Sequence, residues 1–293
     1  MSTKRWKTPI DELKNRPFPK TAGCLIIGDE ILNGKTLDTN SNFFGYHIEV
    51  YVKTCLNDSF TFLISAKFCF NLGIDLKRIE VIPDDEETIV EAAKRLSSSY
   101  DMVVTSGGIG STHDDITYPS LARAFNLSLV HHQPTLDRMV IFKSEPNEEA
   151  VIARKRMALF PTPSIVVYPL EEYWVPIVIV NENVHILPGL PSLFQSLLSE
   201  YAKYLNSVED NGFVRTFVKA TQQESFIAPV LSRVQEDVKG MDVKVGSYPK
   251  WKGSRRWVIV SFLTRRKQKE LVERLAKEVA KEINGVVVDS SDD

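Results

Sequence analysis

Apolar residues along this chain fall into short runs separated by polar, glycine-containing loops. After a polar N-terminal stretch, Ala22-Gly23-Cys24-Leu25-Ile26-Ile27 runs apolar and stops at Gly28, the pattern of a buried strand. Ile79-Glu80-Val81-Ile82 is a second such run and Met102-Val103-Val104-Thr105 a third. Between them Ile89, Ala92, Ala93 and Leu96 share a helical face, and Asp84 with Glu87 form a capping-box-like start, so a helix is predicted to about Ser97. Another helix follows the third strand and its glycine loop, reaching about Phe125. Alternation of strand, loop and helix predicts an α/β protein with a doubly wound, mostly parallel sheet.

Further along, helical spacing covers roughly Pro134 to Leu159. Val175 to Leu187 reads as a hairpin turning at Asn181-Glu182-Asn183, and a helix is expected after Pro188-Gly189-Leu190-Pro191. The character changes near Asn211-Gly212. From there Phe213 to Ala220, Val243 to Gly246 and Trp257 to Phe262 read as strands, with helices over Glu224 to Val238 and about Gln268 to Ile283. The expected organisation is a polar, solvated tail over 1–20, a large domain over 21–208, and a small α+β domain over 209–293.

Composition narrows the picture modestly. The 293 residues are 43% hydrophobic and 25% charged, as in ordinary globular proteins. A formal net charge of −2 makes no electrostatic case for a nucleic-acid partner. No apolar run reaches membrane-spanning length, since Pro176 and Asn181 bound the longest. Cys24, Cys55 and Cys69 show no metal-ligand spacing and cannot all pair, which favours a reducing compartment. The N-terminus lacks a secretory apolar core, so the expected address is cytoplasmic.

Two loops carry candidate chemistry. Gly28-Asp29-Glu30 with Asn33-Gly34, then Asp38-Thr39-Asn40, puts carboxylates and glycines just beyond the first strand. Carboxylates can hold a divalent cation, and glycines let backbone amides approach phosphate oxygens. Capping of the next helix by Asp38 or Asn40 explains the same residues equally well. The second loop, Ser106-Gly107-Gly108-Ile109-Gly110-Ser111-Thr112-His113-Asp114-Asp115-Ile116-Thr117, offers free N–H groups at a helix start, which suits an anionic phosphate. Adjacent Asp114 and Asp115 fit there if a metal intervenes; a capping box from Thr112 to Asp115 is the plainer reading. His113 reads as an exposed spectator, and Pro188-Gly189 more as a shaped turn than as a ligand wall. In doubly wound sheets such loops share one crevice at the carboxyl ends of the strands.

These three ordered motifs, over roughly Thr21 to Leu205, resemble the molybdopterin-binding (MoCF biosynthesis) family, best its CinA-like branch, which also forms the N-terminal part of eukaryotic FAD synthases. The C-terminal unit, with Glu224-Ser225 and Gly246-Ser247-Tyr248-Pro249, resembles the KH-like domain that follows in CinA-type proteins. The resemblance implies metal-dependent hydrolysis of a nucleotide diphosphate such as FAD or ADP-ribose, with Mg or a similar divalent cation. A molybdopterin-adenylylating or purely pterin- or flavin-nucleotide-binding role is the alternative. Carried over by motif, Asp38 and Asp115 are the functional acids, and Gly107, Gly108, Gly110 and Thr112 the phosphate cradle. Gly28, Gly34, Asn40, Ser106, Thr117, Pro188 and Gly189 complete the ligand contacts, and Asp29, Glu30 and Asp114 are candidate metal ligands. The expected partner is a small-molecule nucleotide, without nucleic acid or membrane; self-association is left open.

Three departures qualify that resemblance. Ser111 stands where the family usually has proline. No sulfate-reductase-like synthase region follows, so flavin adenylylation is not expected, and no deamidase-type domain follows either. Most conspicuously, joining Phe44 directly to Ala66 would give Phe44, Phe68, Cys69 and Leu72 the spacing i, i+3, i+4, i+7, closed by Gly73. Residues 45–65, in which Ile48, Val50 and Val52 alternate like a strand, therefore read as an insertion in the first helix. A surface hairpin and a translated intervening sequence are the two explanations.

Overall fold

A computed structural model describes residues 8–45, 68–139, 147–206 and 211–290. The chain divides into two compact units, Met1–Phe70 with Ile74–Ser207, and Asn71–Gly73 with Val208–Asp293.

The first unit begins with a short helix α1 (Ile10–Lys14), strand β1 (Thr21–Ile27) and helices α2 (Asp29–Leu32), α3 (Asn40–Gly45) and α4 (Phe68–Leu72). Next come β2 (Asp75–Ile82), α5 (Glu86–Ser99), β3 (Met102–Ser106), α6 (Thr117–Ala124), β4 (Ser128–His131), α7 (Gln133–Met139) and α8 (Glu148–Arg156). Strands β5 (Leu159–Thr162), β6 (Ile165–Val167), β7 (Ile177–Val180) and β8 (Val184–Leu187) precede helix α9 (Pro191–Tyr201). Six of these strands form one sheet in the order β2-β1-β3-β8-β7-β6. Neighbours from β2 through β8 run parallel, and β7 and β6 add antiparallel edges. The chain passes from β1 outward to β2 and returns to the other side of β1 as β3, so the strand order reverses between β1 and β3. Crevices for ligands form at such reversals, outside the carboxyl ends of the strands.

Both faces of the sheet are covered, which explains why its strands read as continuous apolar runs rather than alternating ones. On one side Leu25, Ile27 and Val103 pack with Ile89, Ala93 and Leu96 of α5 and Leu121 of α6. On the other, Phe194, Leu197 and Leu198 of α9 are fully buried, and the Phe194 ring meets Phe43 of α3 edge-on at 6.5 Å between centroids. Each such side chain contributes about 1.5–3 kcal/mol through burial. The β7–β8 hairpin turns through Asn181-Glu182-Asn183, three residues between the paired Val180 and Val184, with Asn181 and Glu182 both at positive φ (45° and 64°).

Several expectations are corrected. The described part of the N-terminal stretch is packed rather than a solvated tail: Leu13 is buried, Thr8 exchanges hydrogen bonds with the backbone of Tyr168, and Asp101 accepts from the amides of Lys20 and Thr21. Helix α5 is capped by Asp85, whose carboxylate accepts from the Thr88 amide at 2.9 Å, not by Asp84. The helical stretch expected over 134–159 is two helices, with residues 140–146 outside the described residues and Leu159 already in a strand. The inserted segment 45–65 lies, from residue 46 on, outside the described residues. Its flanks are informative, however: the Phe44 and Phe68 rings stack at 5.7 Å with 21° between their planes. That is the contact two residues at i and i+3 of a single helix make.

The second unit orders β9 (Phe213–Ala220), α10 (Glu224–Asp237), β10 (Lys244–Lys252), β11 (Arg255–Arg265), α11 (Lys269–Glu282) and β12 (Val286–Val288). Its antiparallel sheet runs β10-β11-β9-β12. The β-α-β-β-α-β order is that of the split βαβ motif. Val218, Val258, Val260 and Phe262 pack against Ile227, Val272 and Ala276, so both helices cover one face.

Candidate active site

Loops after β1, β3 and β8 meet at the carboxyl ends of those three adjacent strands. They enclose a cleft of about 370 Å³ lined by Gly28, Glu30, Asp84, Gly107, Gly108, Ile109, Gly110, Asp114, Asp115, Tyr118, Met157, Trp174, Val175 and Pro188 to Leu190, among others. The two acidic glycine loops identified in the sequence therefore share one crevice.

The turn after β3 is held from behind. The Thr117 hydroxyl donates to the Gly107 carbonyl at 2.9 Å, and the Thr117 amide donates to the Gly108 carbonyl at 2.9 Å. The Asp115 carboxylate accepts from both the amide (2.9 Å) and the hydroxyl (2.5 Å) of Thr112. This is a staple inside the loop rather than the capping box expected there, because α6 begins only at Thr117 and has no acid in its first turn. The loop's backbone is pinned by its carbonyls, while the N–H groups of Gly108, Ile109, Gly110 and Ser111 meet no acceptor among the described residues. Four successive unpaired amides in a glycine turn form a concavity for anions.

Asn40 ties the three loops together. Its side-chain amide donates to the Ser106 hydroxyl at 2.9 Å and to the Gly189 carbonyl at 2.8 Å, and Ser106 in turn faces the Pro188 carbonyl at 3.4 Å. Asn40 and Ser106 are both buried and join the loops to one another. The Asn40 Oδ1 atom is buried without a partner.

Other expected residues sit elsewhere. Asp38 accepts from the amides of Asn40 (3.1 Å) and Ser41 (3.0 Å) and from the Ser41 hydroxyl, bracing the start of α3; it does not line the cleft. Gly34 closes the turn after α2, and Thr112 supports Asp115 from behind. Neither Asp29 nor His113 lines the cleft, and the His113 side chain is 98% exposed. Missed in the sequence were Asp84 and the apolar wall of Tyr118, Met157, Trp174 and Val175. Asp84 lies at the end of β2 and could have been found by asking which acids follow the strand next to β1. The wall residues carry no periodic signal.

Electrostatically the mouth of the cleft is acidic. Asp84 is half-buried and accepts from the Asp29 amide at 3.1 Å, yet its carboxyl is raised above the usual range. Desolvation is the largest cause; the hydrogen bond from the Asp29 amide opposes it, and the charges of Asp29, Glu30 and Asp114 add to it. Among the described residues no three His, Cys, Asp or Glu side chains converge closely enough to hold a metal ion alone. This donor set fits a cation shared with phosphate oxygens, the usual arrangement for Mg²⁺, which takes one or two carboxylates beside its phosphates and waters. The raised carboxyl has a stability consequence. Since the folded state favours the protonated acid, ionisation of Asp84 weakens the fold as pH rises from the unfolded carboxylate range through the folded one. Asp84→Asn is expected to raise the melting temperature by about 1–2 °C at pH 7 in low salt. The gain should vanish below about pH 3.5, where the acid is neutral in both states; a pH series of thermal melts checks this.

A mostly parallel sheet with a glycine loop at its strand reversal defines the class: a doubly wound α/β domain with a cleft at the carboxyl ends of its strands. The comparisons with known proteins agree. Residues 23–207 match the model of the probable molybdopterin binding domain, and residues 212–291 that of the FAD synthase middle domain, so the chain belongs to the molybdopterin-binding (MoCF biosynthesis) domain family. A protein from Archaeoglobus fulgidus is 30% identical over 258 residues, covering 88% of this chain and 96% of its own length. The probable FAD synthase of Caenorhabditis briggsae is 31% identical over 256 residues, 80% of this chain and 44% of that one, so this chain spans less than half the nematode protein. The crystal structure of the protein CinA from Thermoplasma acidophilum superposes with a TM-score of 0.50 at 26% identity, covering 64% of this chain and 99% of that chain. These relations support a nucleotide-related function. No helix among the described residues is long and apolar enough to cross a membrane.

Proposed function

We propose that the first unit binds a nucleotide diphosphate such as FAD or ADP-ribose in this cleft and hydrolyses its diphosphate link with the help of a divalent cation. One observation carries the reading: four consecutive unpaired amides, Gly108 to Ser111, at the strand reversal of a parallel sheet. They receive the phosphates. Glu30, Asp84 and Asp114 line the cleft and would hold a divalent cation, which would supply neutralisation of the diphosphate charge. Asp115, on the cleft and already oriented by Thr112, is placed to accept the proton of an attacking water. The wall of Tyr118, Met157 and Trp174 suits the flat ring of the nucleotide.

A second reading, binding of a pterin or flavin nucleotide without turnover, is favoured by the lack of a three-acid cluster among the described residues. Chromatographic assay of FAD, ADP-ribose and NAD with Mg²⁺, Mn²⁺ and Co²⁺, alongside calorimetric titration, separates the two. Metal-dependent release of AMP together with FMN, ribose 5-phosphate or nicotinamide mononucleotide is the expected outcome. Metal-independent binding with no product establishes the second reading, and absence of both binding and product removes the cleft from nucleotide chemistry.

A further inference from the structure

The near-neutral balance of the whole chain conceals a strongly basic segment in the second unit. Between Asp242 and Glu270 the sequence carries nine cationic residues and no acidic one. That segment is chiefly the β10–β11 hairpin, whose tip Lys252-Gly253-Ser254-Arg255 is fully exposed. Large aromatic rings interleave with the charges: Tyr248 is 50% exposed and Trp251 65%.

Strand alternation sorts these residues by face. Tyr248, Lys250 and Lys252 share one side of β10, opposite Ile259, Trp257 and Arg255 of β11. Val258 and Val260, on the reverse side, belong to the core beneath α10 and α11, so Tyr248, Lys250 and Trp257 occupy the helix-free side. Lys219 of β9 is opposite Ile259 on this same side, and its ammonium group stands 5.1 Å from the Trp257 ring centroid. Rings and cations thus alternate along one ribbon, at a step on the order of 7 Å between same-face neighbours.

Three uses of such a ribbon compete. Lysine and proline guard an edge strand against pairing with another sheet, and Pro249 sits on edge strand β10. A guard does not need two exposed aromatic rings. A membrane-inserting hairpin gathers its apolar residues at the tip. Here the tip is Lys-Gly-Ser-Arg with the rings behind it, so insertion would bury the cations first. A single-stranded nucleic acid needs what is present, π faces for bases beside cations for the backbone.

We propose that the β10–β11 hairpin binds single-stranded nucleic acid. Bases stack on Tyr248 and Trp257, and phosphates meet Lys250, Lys252 and Arg255, all on the helix-free side. This surface is in the second unit and is independent of the nucleotide cleft.

The test titrates the full chain into fluorescein-labelled 12-mer oligouridylate, the matching duplex, heparin, and phosphatidylserine vesicles. Single strand should bind more tightly than duplex and more weakly as salt rises. Combining Tyr248→Ala with Trp257→Ala should weaken oligouridylate binding roughly 10- to 100-fold while leaving heparin binding unchanged. Neutralising Lys250, Lys252 and Arg255 to serine should flatten the slope of log affinity against log salt by about 2. All these side chains lie outside the buried core, and circular dichroism melts confirm that each variant is folded. Equal binding of heparin and oligouridylate with no effect of the aromatic variants would reduce the surface to a charged patch. Vesicle binding with a blue-shifted tryptophan spectrum and no oligonucleotide binding would assign it to membranes. Either result overturns the proposal, as does a failure to bind the oligonucleotide at all.

Discussion

Gly107→Ala is expected to destabilise the first unit by about 3 kcal/mol or more, lowering its melting temperature by roughly 6–12 °C, and to abolish ligand binding in the cleft. Gly107 adopts φ +107°, which L side chains rarely adopt, and a Cβ there would stand 2.1 Å from the carbonyl oxygen of Ile27. That oxygen belongs to the end of β1, paired with β3 across the strand reversal, so neither partner can give way without parting two central strands. Gly34→Ala is the matched control. Its φ is +74°, but an added Cβ would meet nothing within 4 Å. Only the left-handed backbone penalty, about 1 kcal/mol, should appear, and ligand binding should persist. Differential scanning calorimetry with flavin-nucleotide titrations reads both variants. Equal, small losses at the two positions would show that β1 and β3 do not approach as closely as the geometry requires.

Those glycines also show where a sequence stops being informative. Gly34 and Gly107 look alike in the chain, each following a strand in an acidic loop, and both were expected to contact ligand. Only the register between β1 and β3 separates an open turn from a close approach. The parallel strands β1 and β3 were legible because burial on both faces makes their apolar runs continuous, whereas the edge strand β2, exposed in its middle, showed only over residues 79–82. The short strands β5, β6 and β12 were not, since three or four residues carry no periodicity of their own. Asp84 was recognised as a helix cap through its spacing to Glu87. The cap is Asp85, one residue on, which frees Asp84 to face the cleft. Asp38 shows the reverse: its motif implied a functional acid, while its carboxylate is engaged in the turn that starts α3. The interruption of the first helix is an expectation from the resemblance and the spacing, and the Phe44–Phe68 stack is a contact that an i, i+3 spacing would give.

Asp115→Asn separates chemistry from scaffolding at the proposed site. Asp115 has two roles in the geometry: one carboxylate oxygen receives both donors of Thr112, and the group borders the cleft. An asparagine retains an oxygen that can accept from the Thr112 amide, so the loop and the melting temperature should stay close to those of the parent. It cannot accept a proton at neutral pH. If Asp115 is the acceptor for an attacking water, kcat for FAD or ADP-ribose hydrolysis should fall by roughly 10²–10⁴-fold, with little change in KM. Asp115→Ala should show the same loss of turnover and, in addition, a melting temperature lower by a few degrees, because two donors in the turn lose their acceptor. An asparagine variant with full activity and an alanine variant without it would make Asp115 a loop staple only. The proton would then have to go to Glu30, Asp84 or Asp114, the remaining acids on the cleft. Of these Asp84 has its carboxyl raised above the usual range by desolvation, which favours it as a proton acceptor.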